Sequence, residues 1–196
     1  MFMTTAEKKT PVRERIVDTA CDLFYRQGYR ATGINQVISE SGVAKASFYD
    51  HFHSKDELLL EYVRETSRRE IADIREQVSA YTTVEDRLYG PFRMLVPWFT
   101  QTDFRGCPMQ NILAEIPPGN EDVHRILTRH RDQKRAFLLE LIEDYLAENG
   151  PCPQIDCEAL AETFLLLFAG AIAVAASRKE LWPVVRGEES LRRFFE

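Results

Sequence analysis

The sequence predicts an all-α protein, and three observations carry that prediction. Apolar residues recur at three- and four-residue spacing along most of the chain, the pattern of a helix with one buried face. No stretch alternates apolar and polar residues over the length of a strand. Residues that start or stop helices, such as Gly28, Gly42, Ser54, Asn120 and Asp156, stand at the borders of the periodic stretches.

Taken in order, the first helix runs from Val12 through Ile16, Ala20, Leu23 and Phe24 and stops at Gly28, a C-cap signal. Thr32 precedes a short helix carrying Ile34, Val37 and Ile38, which stops near Gly42. Ser41-Gly42-Val43 is a tight turn, and Ala44–Phe52 is another short helix. Ser54 with Glu57 three residues on has capping-box spacing, and the helix it opens extends through Leu58, Tyr62, Ile71 and Ile74 to Val78. A helix over Val84–Thr100 should kink near Gly90-Pro91 and Pro97, because proline removes a helical donor. Cys107–Ile116 is a short helix ended by Pro117-Pro118-Gly119. Asn120 caps a long helix from about Glu121 to Leu146, and Asp156 caps one through Arg178. A last short helix is expected over Glu188–Phe195. The natural division falls inside the fourth helix near Glu61. It separates an N-terminal three-helix domain (1–60) from a larger helical domain (61–196).

Composition narrows the function classes. The chain of 196 residues is 44% hydrophobic and 29% charged, enough for a sizeable core without disulfide staples. A net charge of −6 argues against a generally basic nucleic-acid coat. The charge is unevenly placed: residues 1–60 hold eight Lys/Arg and eight Asp/Glu, so the whole excess lies beyond them. A protein that binds DNA with one end needs only that end to tolerate phosphate, so this distribution permits such binding without requiring it. Met1–Pro11 carries no apolar run of the signal-peptide kind. The four cysteines are therefore expected to stay reduced and the protein to be cytoplasmic. The longest apolar run, Phe164–Ala176, is interrupted by Gly170 and falls short of the ~20 residues that span a bilayer. It reads as a buried helix, with no membrane partner.

Residues 34–55, INQVISESGVAKASFYDHFHSK, have the layout of a helix-turn-helix: two short helices joined by a turn containing glycine. Val37, Ile38, Val43, Phe48 and Phe52 are placed to bury against the first helix. Lys45, Ser47, Tyr49, Asp50 and His51 then face outward, where short polar groups suit base edges and a phenol or amine suits phosphates. From the spacing alone, a plain three-helix bundle with a polar face is an equal reading.

The longer stretch Arg13 to Leu59 resembles the DNA-binding domain of the TetR family of transcriptional regulators. The resemblance rests on the Phe24–Gly28 helix ending, Tyr29, Thr32, the Ser-Gly-Val turn and the Phe-Tyr-x-His-Phe-x-Ser-Lys run. It covers roughly a quarter of the chain. It implies that Thr32 and its neighbours hold a phosphate at the start of the second helix, with Gly33 standing where many relatives carry a second hydroxyl. It also implies that Lys45, Ala46 and Ser47 approach bases, that Tyr49 and His51 contact phosphates or base edges, and that Lys55 holds a phosphate. Asp50 departs from the pattern: phosphates repel its charge, and a cytosine amino group is the alternative donor to it.

The resemblance further implies a homodimer on palindromic operator DNA, usually as a repressor, that responds to a small-molecule effector, by release or by tighter binding. The segment around Asp156–Arg178 is apolar on every side and, with His124–Leu146, is the dimer candidate; the centre of a monomer core is the competing reading. Phe92, Trp98, Phe104, Met109 and Phe164, with Met94 and Phe99, are candidates to line an effector cavity. Gly106-Cys107-x-x-x-Asn111 resembles a segment of one branch of the family, in some members of which the cysteine senses oxidants or electrophiles. Pro108 would set Cys107 at a helix N-terminus, where Arg105 should help lower the thiol pKa; an inert, half-buried thiol is the alternative.

Other chemistries have little support. The histidine and cysteine spacings fit no metal site, no cofactor loop is present, and no base and nucleophile are positioned for catalysis, so a non-enzyme is expected. Glu61, Glu65 and Glu115 read as solvated. The remaining alternative is a helical interaction protein that reuses the helix-turn-helix for protein contacts.

Overall fold

In a computed structural model, which describes residues 10–117 and 119–196, the described residues form nine helices and no strand. The reading of Met1–Pro11 falls largely outside them, as does Pro118 of the expected Pro-Pro-Gly break. The helices are α1 (Val12–Gln27), α2 (Ile34–Ser41), α3 (Lys45–His51), α4 (Lys55–Ser79), α5 (Val84–Gln101), α6 (Pro108–Glu115), α7 (Glu121–Asn149), α8 (Cys157–Arg178) and α9 (Trp182–Arg192).

Four of the nine described helices, α4, α5, α7 and α8, start at side chains that satisfy the first free backbone N–H groups. Ser54 Oγ accepts from Glu57 N at 3.0 Å, while Glu57 Oε2 reaches back to His53 N at 2.8 Å. Thr83 accepts from Asp86 N, Asn120 from Val123 N, and Asp156 from both Glu158 N and Ala159 N. α5 continues through both internal prolines as one element. α9 begins six residues earlier than expected, at Trp182, because Pro183 has the backbone angle of a first helical turn and loses no helical hydrogen bond there.

α1 buries Ile16, Val17, Ala20, Leu23 and Phe24 against α2, α3 and α4. Each of the larger of these side chains, Ile16, Val17, Leu23 and Phe24, contributes about 1.5–3 kcal/mol on removal from water. α4 runs on without a break, packing against α1 at its start and against α5, α6 and α7 beyond. α7 packs on α4, α5 and α8, and α9 closes the far side against α5 and α8. The buried apolar residues from Ile16 to Leu191 make one contiguous core. α9 lies so close to α5 that a Cβ at Gly187 would stand 2.4 Å from the Phe92 ring. Only glycine fits there.

α8 corrects one expectation. Although its uninterrupted apolar run is short, the 22-residue helix is by length and composition apolar enough to cross a membrane, with a mean hydropathy of 2.1 over its most apolar 18-residue stretch. Its packing is that of a core helix on one side, with Phe164, Phe168, Ala171 and Ile172 buried. Its other side leaves Leu166, Gly170, Ala173 and Val174 exposed, Leu166 by 74%. On α7, by contrast, the exposed residues are polar apart from two alanines. The outward apolar row therefore belongs to α8 and not to both expected helices. α9 adds exposed Trp182 and Val185.

Candidate nucleic-acid interface and inner cavity

α2 ends at Gly42, whose backbone is left-handed (φ 63°, ψ 32°), a conformation glycine adopts without strain. That reversal lets α3 start at Lys45, and Phe48 and Phe52, 0% and 2% exposed, hold α3 down. The Arg13 guanidinium covers the Phe52 ring at 5.3 Å and pairs with Glu61 at 2.9 Å. With that side buried, Lys45, Ala46, Tyr49, Asp50 and His51 are exposed, and Ser47 is half-buried. Among the described residues, none of Lys45, Asp50 and His51 forms an ion pair, so their polar groups are available to a partner.

Lys55 opens α4 beside this face. Its Nζ lies 4.2 Å from the centre of the Tyr29 ring, and the Tyr29 hydroxyl donates to Asp56 Oδ1 at 2.6 Å. Burial lowers the Lys55 pKa, with Asp56 acting in the opposite sense. Thr32 differs from its expected role. It is 1% exposed, and its hydroxyl donates to Gly28 O at 2.8 Å, closing the turn after α1. The hydroxyl is used internally, and the exposed residue at the start of α2 is its N-cap, Gly33.

Behind this unit lies a cavity of about 250 Å³ between α1, α4, α5, α6 and α8. Of the candidate lining residues, Trp98 faces it, together with Met94. The other four do not line it. Phe92 and Phe164 stack face to face at 5.4 Å in the core, Phe104 stacks on Phe99 at 5.1 Å, and Met109 is buried to 4%. Aromatic rings that find one another satisfy their own surface and leave the cavity to different residues. The wall instead includes Cys21 and Tyr25 of α1, Tyr62, Arg69, Glu70 and Asp73 of α4, and Phe168 of α8. Sequence reading missed these, because each looks like an ordinary core or surface position of its own helix. Three turns of α4 that carry Tyr62, Thr66, Arg69 and Asp73 on one side were the available signal.

Glu70 joins the cavity to a buried polar network. Lys134 Nζ donates to Glu70 Oε1, His130 Nε2 stands 3.3 Å from Glu70 Oε2, and Ser67 Oγ is 2.9 Å from His130 Nδ1. His130 and Lys134 are one turn apart on α7, facing Ser67 and Glu70 on α4. Burial alone would raise the Glu70 carboxyl, but Lys134 and His130 beside it hold it down to about 2. Burial would lower the Lys134 ammonium, and Glu70 reverses that, leaving it raised.

Cys107 is the N-cap of α6, as expected, but its thiol is not activated. It is 6% exposed, and burial pushes it up to about 11, with the Glu70 carboxylate adding to the effect. Arg105 turns away to donate from Nε to Tyr25 O at 2.8 Å. Glu65 and Glu115 are likewise more engaged than free solvated carboxylates. Glu65 takes Arg68 and Arg69, while Glu115 accepts from Arg30 N at 2.8 Å.

A short outward helix, set by a glycine turn on a three-helix unit and followed by a larger helical domain, defines a helix-turn-helix DNA-binding regulator. Comparison with known proteins makes this specific. Residues 16–62 match the family of bacterial regulatory proteins called the tetR family. The chain is 30% identical over 178 residues to the HTH-type transcriptional regulator LmrA of Bacillus subtilis, covering 88% of this chain and 90% of that one. It is 29% identical over 129 residues to the HTH-type transcriptional repressor DhaR of a Mycobacterium species, covering 64% and 62%. A solved TetR-family transcriptional regulator from Streptomyces coelicolor, SCO4454, superposes with a TM-score of 0.74 at 30% identity, over 93% of this chain and 88% of that one. The reduced form of E. coli NemR shares the fold, with a TM-score of 0.83 at 18% identity over 93% and 95% of the two chains. The protein belongs to the TetR family of transcriptional regulators and is a DNA-binding regulator.

Proposed function

We propose that this regulator binds a palindromic operator as a homodimer, reads it with α3 of each subunit, and is released by a small molecule held in the inner cavity. The observation that carries the reading is the division of exposed surface. The polar row Lys45, Ser47, Tyr49, Asp50 and His51 has no internal ion-pair partner among the described residues, and the apolar row on α8 has no cover in the monomer. A helix of seven residues reads only a few base pairs, so two copies are needed for useful specificity. An exposed apolar row of this kind suits self-association.

In this reading Lys45, Ala46 and Ser47 approach base edges, and Tyr49, His51 and Lys55 hold phosphates, with Gly33 at the backbone donors of α2. Asp50 selects a cytosine amino group. The division of labour falls near residue 60, within α4. Control passes through α1, because Cys21 and Tyr25 belong both to the DNA-reading unit and to the cavity wall. The Tyr25 hydroxyl also donates to Gly106 O at 2.9 Å, just before α6. A guest that displaces Tyr25 acts directly on the helix that supports α3. A regulator of this class works where the DNA is, which assigns it to the cytoplasm.

The test is selection of bound duplexes from a random pool. An enriched palindrome with half-sites about one helical turn apart, roughly 10 base pairs or a multiple of that, is expected. Leu166→Glu should convert the dimer to a monomer in sedimentation and abolish selection of the palindrome. Enrichment of no sequence, or a dimer indifferent to Leu166→Glu, refutes the respective half of the proposal.

A further inference from the structure

We propose that the cavity takes an aromatic organic cation, bound among the aromatic side chains of its wall and by the carboxylate of Asp73 at its open side. This rests on the cavity being the effector site and names the chemical class of the guest. The charges around the wall decide that class. Two cations stand at or behind the wall, and both are already held. Arg69 is held by Asp18 and Glu65, and Lys134 by Glu70. Arg68, the other cation near Asp73, is bidentate on Glu65 at 2.8 and 2.7 Å. His130 turns its two ring nitrogens to Ser67 and Glu70, inside the fold.

Asp73 is left over. It lines the cavity, is exposed to solvent, and has no ion-pair partner among the described residues. An anionic guest would have to take Arg69 or Lys134 from a carboxylate that already holds it. A neutral guest would leave Asp73 unused. A cation meets a free carboxylate and, around it, the rings of Tyr25, Tyr62 and Trp98, whose electron-rich π-systems attract positive charge, while the Phe168 ring already carries Lys134. The wall is mostly apolar, so the guest's charge must sit on a hydrophobic aromatic body for the rest of it to be desolvated without loss.

Three probes of nearly equal size separate the classes: phenyltrimethylammonium, its neutral isostere tert-butylbenzene, and benzenesulfonate. Binding to the full-length protein is read from Trp98 fluorescence in a Trp182→Phe background, since these are the two tryptophans of the chain. The cation should bind most tightly, the neutral isostere less so, and the sulfonate least. Asp73→Asn should weaken the cation roughly three-fold, the scale of a partly exposed ion pair, and leave tert-butylbenzene unchanged. Tightest binding by the sulfonate, or an Asp73→Asn variant that treats the cation as before, overturns the cation. If tert-butylbenzene binds and the ammonium does not, the cavity survives as a ligand site and only the charge class is lost. If none of the three enters, the effector-cavity reading falls with it.

Discussion

The outward face of α3 and the wall of the inner cavity are built in opposite ways. The α3 face comes from seven consecutive residues, and its polar groups are left without ion-pair partners among the described residues. The cavity wall comes from five helices, and Arg69, Glu70, Lys134 and Glu65 around it are all committed to one another. One surface is kept free for a partner that brings its own charges. The other is stiffened from within, so that a guest must compete with or complement an existing network. The contrast teaches that binding and regulation place different demands on stability: α3 side chains can change with little cost to the fold, and the network cannot.

The sharpest way to break this comparison is Glu70→Ala. It should cost about 3–5 kcal/mol in denaturant unfolding, because Lys134 is left as an uncompensated buried charge. Lys45→Ala on α3 should stay within about 0.5 kcal/mol. Equal costs would erase the distinction between the two regions.

Acid should reveal the same network. Glu70 and Glu65 are both held at about 2, below the ordinary 4.5, Glu70 against its own burial by Lys134 and His130, and Glu65 chiefly by Arg68 and then Arg69. A carboxyl depressed in the folded state contributes stability that is fully present above its unfolded value and lost as pH falls through the folded one. Stability should therefore decline from about pH 4.5 toward pH 2. Urea midpoints that are flat across that window contradict the assignment.

Cys107 supplies a kinetic test of enclosure. With its thiol near 11 and little surface exposed, it should be alkylated by iodoacetamide at pH 8 about a hundred-fold more slowly than in the unfolded chain. Rapid modification, followed by mass spectrometry of the Cys107 peptide, would show that the start of α6 opens readily. The smallest effect belongs to the DNA face. Tyr49→Phe with Lys55→Ala should weaken binding to all duplexes alike and reduce the salt slope by about 1 for each phosphate that is no longer held. A gel-shift titration that gives the wild-type slope removes these residues from the interface.

The N-terminal unit was almost fully legible because its information is local. Gly28, Gly42 and Ser54 mark their borders by backbone preference or capping, and Phe48 and Phe52 identify the buried side of α3 by spacing alone. Thr32 misled because a hydroxyl next to a helix start has two uses, and only the path of the turn decides that it closes onto Gly28 O. For α9 the signal was present but passed over, since Pro183 marks the true start better than the acidic run at Glu188 and Glu189.

The cavity was not legible. Phe92, Phe104, Met109 and Phe164 were reasonable on hydrophobicity, but helix packing consumed them in pairs and in the core. Cys107 was found at its helix N-terminus, yet its reactivity turned on burial and on a carboxylate 37 positions away in the chain, neither of which spacing reveals.

What the sequence determined by itself is therefore the set of helices, the turn that presents α3, and the family to which these residues are similar. All depend on interactions within a few residues along the chain, where periodicity, caps and glycine angles act directly. What tertiary structure alone decided is which side chains meet across helices: Tyr25 with Gly106, Glu70 with Lys134, and the five walls around one void. Those meetings depend on how helices cross, which is settled by the packing of the whole core at once and is encoded in no single stretch.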